Sequence, residues 1–218
     1  MIKTVKVSSA EYADLLSSSS ILEQDGHGVK VLYNVSGQII KIFRRKRLLS
    51  GALFFPYAQR FAANAQRLHR LRIPTIEVIK LGRCNDPKRD LVWYQPLAGV
   101  SLREYCRTQG VKRIVDVLAQ FIAELHHKGV LFRSVHWGNI IVTDESSVGL
   151  IDIADIRFYC RSLTLKQRQR NFRHMLRYSE DQKFFQDVAD EFWSSYTAAA
   201  HLTAAQIESL QRFVADQQ

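Results

Sequence analysis

The sequence predicts an α+β chain of two lobes, a small antiparallel-sheet lobe over residues 1–95 and a mainly helical lobe over residues 96–218. Three observations carry this prediction. Short apolar runs in the first half are broken by the turn signals Asp25-Gly26-His27-Gly28 and Ser36-Gly37. Stretches in the second half place apolar residues three and four apart, the period of a helix with one buried face. Between those stretches lies one short apolar hairpin, residues 140–151. With 218 residues, 46% hydrophobic and 11% aromatic, the chain can bury a real core, and its composition argues against disorder.

Each element follows from local signals. Ser9 to Leu16 opens a short helix with Ser8 or Ser9 as its cap, and the serine run 17–20 reads as a loop. Ile21–Gln24, Val29–Asn34 and Ile39–Phe43 read as three strands. A helix from about Pro56 to Leu71 puts Phe61, Ala65, Leu68 and Leu71 on one face and ends before Pro74. Ile76–Leu81 and Leu91–Tyr94 are two further strands. Val111 to His127 forms an amphipathic helix through Val111, Ile114, Leu118, Ile122 and Leu125, and Gly129 terminates it. Ile140–Val142 and Val148–Ile151 make a hairpin. Three helical stretches follow, roughly Thr164–Tyr178, Asp181–Ala199 and Thr203–Ala215.

The formal charge of +10 and pI near 9.7 point to anionic partners: nucleotides, phosphorylated glycolipid, nucleic acid or an acidic membrane face. Nucleic acid is disfavoured because no basic groove interleaved with aromatic residues is present. Cys84, Cys106 and Cys160 are widely spaced and odd in number, which fits inert thiols in a reducing compartment rather than a disulfide framework or a zinc site. No apolar run approaches membrane-spanning length and the first residues carry no apolar signal core, so a cytoplasmic protein is expected.

The chemistry concentrates in Leu131-Phe132-Arg133-Ser134-Val135-His136-Trp137-Gly138-Asn139 and in Leu150-Ile151-Asp152. Phosphoryl-transfer loops use an Asp to orient the acceptor hydroxyl and an Asn five residues later to hold a metal ion. A second Asp bridges that metal to the nucleotide phosphates. Asn139 and Asp152 occupy the two metal positions, and hard oxygen ligands of this kind suit Mg²⁺. Five residues before Asn139 stands Ser134, whose hydroxyl cannot accept a proton at neutral pH. His136, with an ordinary pKa near 6.5, is the nearest substitute base; Asp155 is a second candidate and Asp144 a remote third. Lys41, flanked by apolar residues on the third strand, suits the α- and β-phosphates. No Asp or Glu occurs between Asp25 and Glu77, so the helix after Lys41 offers it no acid. Asn64, Gln66, Glu23 and Asp25 are the alternative partners. Gly26 and Gly28 form a turn that could let backbone N–H groups approach phosphate, or a plain hairpin turn. Arg44-Arg45-Lys46-Arg47 and the helically spaced Arg170, Arg173 and Arg177 are either solvated faces or a dock for a phosphorylated acceptor or anionic headgroups. His126 and His127, at a helix end, read as structural.

Val135-His136-Trp137-Gly138-Asn139-Ile140-Ile141-Val142 is similar to the D-L-H-P-G-N-I-L loop of small antibiotic and sugar kinases, and Leu150-Ile151-Asp152 resembles their L-I-D-F strand. The compact size and the Arg-rich segment that follows most resemble the lipopolysaccharide core (Kdo/heptose) kinase family of the protein-kinase-like superfamily. Lys41-Ile42-Phe43-Arg44-Arg45-Lys46-Arg47 and Phe132-Arg133-Ser134 are similar to its proteobacterial "toluene tolerance protein" branch. The resemblance spans roughly residues 21–178. It implies a two-lobed protein-kinase-like fold, ATP and Mg²⁺ as cofactors, Lys41 on the nucleotide phosphates, and Asn139 and Asp152 on the metal. Adenine would lie on the backbone around Tyr94, Gln95 and Leu97. The acceptor it implies is a sugar hydroxyl of the lipopolysaccharide inner core, at the inner face of the inner membrane. Ser134 and the acid-free helix depart from the pattern. Three functions therefore compete: a glycolipid kinase, a pseudokinase that binds Mg-nucleotide and regulates or scaffolds envelope biogenesis, and a kinase-like ATPase of an RNA-modification complex.

Overall fold

The computed structural model describes residues 2–45, 56–144 and 147–216, and the chain divides into two compact units, Met1–Leu97 and Ala98–Gln218. The described residues contain a six-stranded sheet, two smaller sheets and eight α-helices, an α+β chain as the sequence predicts.

In the first unit, β1 (Thr4–Val7), α1 (Ser9–Ser17), β2 (Ser20–Asp25), β3 (Gly28–Tyr33), β4 (Ile39–Arg44), α2 (Tyr57–Arg70), β5 (Glu77–Cys84) and β6 (Arg89–Gln95) follow one another. The strands form one sheet in the order β1-β5-β6-β4-β3-β2. The sheet is mixed rather than antiparallel, because β1 runs parallel to β5 with Thr4 opposite Leu81. Helix α1 starts at a reciprocal cap: Glu11 N–H donates to Ser8 Oγ, and Ser8 N–H donates to Glu11 at 2.7 Å. Those bonds hold the Glu11 carboxyl below its usual range.

Strand alternation splits the sheet into two chemically different faces. On one, Leu32, Ile40, Ile42, Leu91 and Trp93 pack with Val7, Cys84 and Tyr12 of α1. A Cβ at Gly82 would lie 2.6 Å from the Trp93 ring, so only glycine lets that indole lie flat on β5. The other face carries Lys41, Phe43 and Tyr94 towards Phe61 of α2, whose ring is fully buried.

The second unit contains β7 (Val100–Ser101), α3 (Leu102–Gln109), α4 (Val115–His127), β8 (Val130–Phe132), β9 (Ile140–Asp144), β10 (Ser147–Leu150), β11 (Ile156–Phe158), α5 (Leu165–Met175), α6 (Ser179–Gln186), α7 (Ala189–Ala200) and α8 (Ala204–Ala215). Strands β9 and β10 form the expected hairpin, with β7 on its edge, while β8 pairs antiparallel with β11. Two expectations need correction. The helix expected from Val111 begins as one 3₁₀ turn, Val111–Arg113, and the α-helix starts only at Val115. The single helix expected over Asp181–Ala199 is two helices, broken at the buried Val188 with its backbone at φ −138°.

The helical core is aromatic around α7: Phe172, Phe185, Phe192, Trp193 and Tyr196 meet with ring centroids 5.0–6.4 Å apart. Buried polar groups thread through it. His126 Nε2–H donates to Asn171 Oδ1 at 2.9 Å and His126 Nδ1 accepts from the Tyr196 hydroxyl at 2.8 Å. Burial lowers the His126 pKa to about 3, so the ring is neutral. Arg168, 2% exposed, is satisfied by neutral acceptors alone: the carbonyls of Leu163 and Ala200, Tyr196 Oη and Ser162 Oγ. Among the described residues no helix is long and apolar enough to cross a membrane.

Candidate functional site

The loop between β8 and β9 is built from its backbone outwards. Strand β8 ends at Phe132, and Asn171 Nδ2 of α5 donates to the Phe132 carbonyl at 2.8 Å. Two residues on, Asn139 Nδ2 donates to the Ser134 carbonyl at 2.9 Å, closing the loop on itself. That bond commits the amide nitrogen and leaves Oδ1 as the atom of Asn139 able to meet a cation. Ile151 N–H donates to the Asn139 carbonyl at 3.0 Å, which fixes the residue before Asp152 beside Asn139. Asp152 is exposed and left-handed (φ 51°, ψ 45°), a conformation costing a non-glycine residue about 1–3 kcal/mol and found where a side chain must be aimed. The two expected metal ligands therefore stand together on adjoining arms. Among the described residues no group of three or more His, Cys, Asp or Glu could hold a metal ion. A cation on Asn139 and Asp152 would take its remaining ligands from phosphate and water, as Mg²⁺ commonly does.

A buried carboxylate braces this loop from below. Asp181, at the start of α6 and wholly buried, accepts from Arg103 Nε at 2.8 Å and Nη2 at 2.9 Å, and from Trp137 N–H at 3.2 Å. The Trp137 indole stacks on Phe184 of the same helix. Arg103 lies over the Tyr178 ring, and His136 meets that ring edge-on at 5.1 Å. The His136 ring rests against Gly138, where a Cβ would come within 3.1 Å of Nδ1. Burial, then the Arg103 charge, lower the His136 pKa against the opposing pull of Asp181 and Asp152. His136 is thus a neutral imidazole at pH 7, its buried Nδ1 without a hydrogen-bond partner, within electrostatic reach of Asp152.

The other base candidates separate by position. Ser134 is half-buried between Arg133 and Val135. Asp155 ends the 3₁₀ turn 153–155, and continuing the register Ile156–Phe132 sets it opposite Arg133, next to Ser134. Asp144 sits at the far end of β9, about 13 Å of strand from Ile140, and is too distant to serve.

In the first unit, Lys41 lies on the central strand β4, paired with Val31 on β3 and Val92 on β6. Its Nζ is 5.8 Å from the Phe61 centroid and 6.0 Å from that of Phe43, so α2 presents it with an aromatic face where an acid was sought. Asn64 is buried on α2 and Gln66 is exposed. Glu23 and Asp25 both reach Lys30, at 3.2 and 3.1 Å. Tyr94 packs on Phe61 at 5.4 Å, Gln95 is exposed and Leu97 half-buried at the end of the unit. Gly26 and His27 form the tip of a tight hairpin in which His27 N–H donates to Asp25 Oδ1 at 2.8 Å, so a carboxylate already takes one of the turn's N–H groups. Of the basic run after β4, Arg45 is structural, bonded to the Cys84 carbonyl and Asn85; Lys46 and Arg47 fall outside the described residues.

Arg103, Asp181 and Tyr178 escape sequence reasoning because they act on residues far along the chain, and the apolar face that includes Phe61 gives no sign that its ring meets Lys41. The thiols of Cys84 and Cys106 are buried, and burial pushes the Cys106 thiol up to about 12, as inert cysteines should behave, whereas Cys160 is exposed. No protein-family model matches the chain, and no curated protein matches it either.

Proposed function

We propose that the chain is a kinase-like phosphotransferase that holds Mg²⁺-ATP on Asn139 and Asp152 and transfers phosphate to a sugar hydroxyl of the lipopolysaccharide inner core. It would work in the cytoplasm, at the inner face of the inner membrane. The observation that carries this proposal is the locked pair: Asn139 Nδ2 on the Ser134 carbonyl, Ile151 N–H on the Asn139 carbonyl, and Asp152 in a left-handed conformation. Mg²⁺ bound there would neutralise charge on the nucleotide phosphates and on the transferring group.

The chain's own contribution is position and a proton acceptor. Phosphoryl transfer depends mainly on alignment and charge stabilisation, so the absence of a carboxylate at Ser134 lowers the rate without forbidding the reaction; loss of a general base costs about 10²–10⁴-fold. His136, neutral and within reach of the Asp152 charge, can take the acceptor hydroxyl's proton. Ser134 is also the observation that favours a second proposal, a pseudokinase that binds Mg-nucleotide without transfer.

The deciding experiment measures Mg²⁺-dependent ATP binding and transfer of γ-phosphate to purified core glycolipid for wild type, Asp152→Ala and Ser134→Asp. Transfer that is lost in Asp152→Ala and raised in Ser134→Asp supports the kinase. Mg-dependent binding in wild type and Ser134→Asp that is lost in Asp152→Ala, with transfer in none, supports the pseudokinase. Absence of Mg-dependent binding in all three sinks both. His136→Ala should depress turnover more than nucleotide affinity, and equal loss of the two would remove His136 as the base.

A further inference from the structure

Four buried polar side chains of the second unit join into one hydrogen-bonded chain that ends on the loop. Arg168 and Asn171 of α5, His126 of α4 and Tyr196 of α7 are each no more than 2% exposed. Arg168 Nη1 donates to Tyr196 Oη at 3.0 Å, and the Tyr196 hydroxyl donates to His126 Nδ1 at 2.8 Å. His126 Nε2–H donates to Asn171 Oδ1 at 2.9 Å, and Asn171 Nδ2 donates to the Phe132 carbonyl at 2.8 Å. Phe132 ends β8, and Ser134 follows two residues later. A side branch holds the His126 main chain: Arg168 Nη2 donates to Ser162 Oγ at 2.9 Å, and that hydroxyl donates to the His126 carbonyl at 3.2 Å.

The two ends fix the direction of every link. A guanidinium can only donate and a carbonyl can only accept. Because the Phe132 carbonyl receives Asn171 Nδ2, the Asn171 oxygen faces His126, and Nε2 must carry the ring proton. Burial keeps that ring neutral, so Nδ1 is bare and takes the Tyr196 hydrogen. The opposite tautomer would turn the Asn171 amide over and set its oxygen against the Phe132 carbonyl. Such a network is costly to bury, since apolar side chains of similar volume commonly join helices as well or better. They would not fix a main-chain carbonyl. A fully satisfied buried network rigidifies one arrangement, and the arrangement selected here is that of the segment entering the loop.

We infer that Asn171 is a positioning residue for the loop, its amide oriented by Arg168 through Tyr196 and His126, so that α5 and α7 together set where Ser134 and its neighbours stand. Asn139 closes the same loop from its other end through the Ser134 carbonyl. The consequence for phosphate transfer rests on the function proposed above; the consequence for loop order does not.

Backbone amide exchange and histidine ring-nitrogen shifts of the full-length protein, read by NMR without nucleotide, test the inference. The His126 ring should show one tautomer, protonated at Nε2. Asn171→Leu removes the last link and should speed exchange at Trp137, Asn139 and Ile151 on the order of tenfold relative to the amides of α8, the worth of about one hydrogen bond. Tyr196→Phe removes only a hydroxyl, and should give about a threefold increase together with a mixture of His126 tautomers. It decides the matter alone where Asn171→Leu does not fold. Ile122→Val, a buried change of similar cost on α4 that leaves every link in place, should keep the three loop amides in step with those of α8. In a transfer assay Tyr196→Phe should lower kcat while KM for ATP stays within about twofold, because the bonds that hold Asn139 and Asp152 together are untouched. Absence of transfer in the wild type, with the exchange differences intact, counts against the phosphotransferase and leaves the positioning of the loop standing. Unchanged loop exchange in the chain variants, an equal response to Ile122→Val, or a His126 ring protonated at Nδ1 overturns the inference.

Discussion

Removing the Asp181 carboxylate should unfasten the loop from the helices that carry it. The side chain is wholly buried and accepts three hydrogen bonds, two from Arg103 and one from Trp137 N–H. Breaking a buried ion pair by deleting one partner costs about 3–5 kcal/mol, and a stranded buried N–H adds about 1–3 kcal/mol. Arg103 keeps 22% of its side chain exposed and has Glu180 at 3.6 Å, so water and a second acid compensate part of that loss. We expect about 3 kcal/mol for Asp181→Ala. Asp181→Asn keeps an acceptor for Trp137 and one for Arg103 while losing the charge, and should cost about half as much. Urea unfolding followed by tryptophan fluorescence measures this directly. In a Trp93→Phe background the remaining indoles, Trp137 and Trp193, both report on the second unit. A loss below about 1 kcal/mol for Asp181→Ala would refute the brace, since a wholly buried carboxylate with three hydrogen bonds cannot be that cheap to remove.

Acidification should destabilise the second unit through His126. Its folded pKa of about 3 lies below the ordinary 6.5, so the unfolded chain binds the proton first, and stability present above pH 6.5 is lost as pH falls towards 3. From pH 8 to pH 5, above the ordinary carboxylate range, the loss from this residue should be about 2 kcal/mol in urea unfolding. A His126→Gln variant should show a correspondingly shallower decline, and an identical decline would remove His126 as the cause. Gly129→Ala should destabilise by about 2–4 kcal/mol, because Gly129 has φ 70° and a Cβ there would lie 2.4 Å from the Tyr159 carbonyl oxygen. Gly26→Ala, where a Cβ meets nothing within 4 Å, should change the melting temperature little, and an equal loss at both glycines would contradict the steric account.

What the sequence revealed follows the range of the interactions. Ser8 with Glu11, the turn at Gly26, the stop before Pro74 and the hairpin across residues 143–147 are local, and each signal sits within a few residues of its effect. Strand β1 was not legible because three of its four residues are exposed and its partner, β5, lies more than 70 residues away. Helix α3 could have been found: Ser101 and Glu104 have the spacing of a cap, and Gly110 ends the helix with φ 84°. The break between α6 and α7 carries no Gly or Pro and comes from tertiary packing of Val188. At the candidate site, the adjacency of Asn139 and Asp152 was legible because the two flank one hairpin. Arg103 and Asp181 lie 78 positions apart, and nothing local marks either. Arg168 gives no local sign of its role: within a run of basic residues it is buried and bonded to four neutral acceptors.

The loop's backbone and its side chains are treated oppositely, and this bears on Ser134. Side chains from α5, from α6 and from the loop itself fix the main chain at Phe132, Trp137 and Ser134 respectively. Buried side-chain atoms of Arg133 and His136, on either side, have no hydrogen-bond partner, although such atoms are usually satisfied. A main chain over-determined at three points, carrying polar side chains left unsatisfied, is how a fold holds groups in readiness for something outside itself. Ser134 sits at the centre of that arrangement, half-buried, with its carbonyl already bonded to Asn139. Exchanging its hydroxyl for a carboxylate changes a half-buried side chain on a main chain that need not move. Ser134→Asp should therefore fold as the wild type does. Any change it brings in turnover would report on the chemistry at that position rather than on the architecture around it.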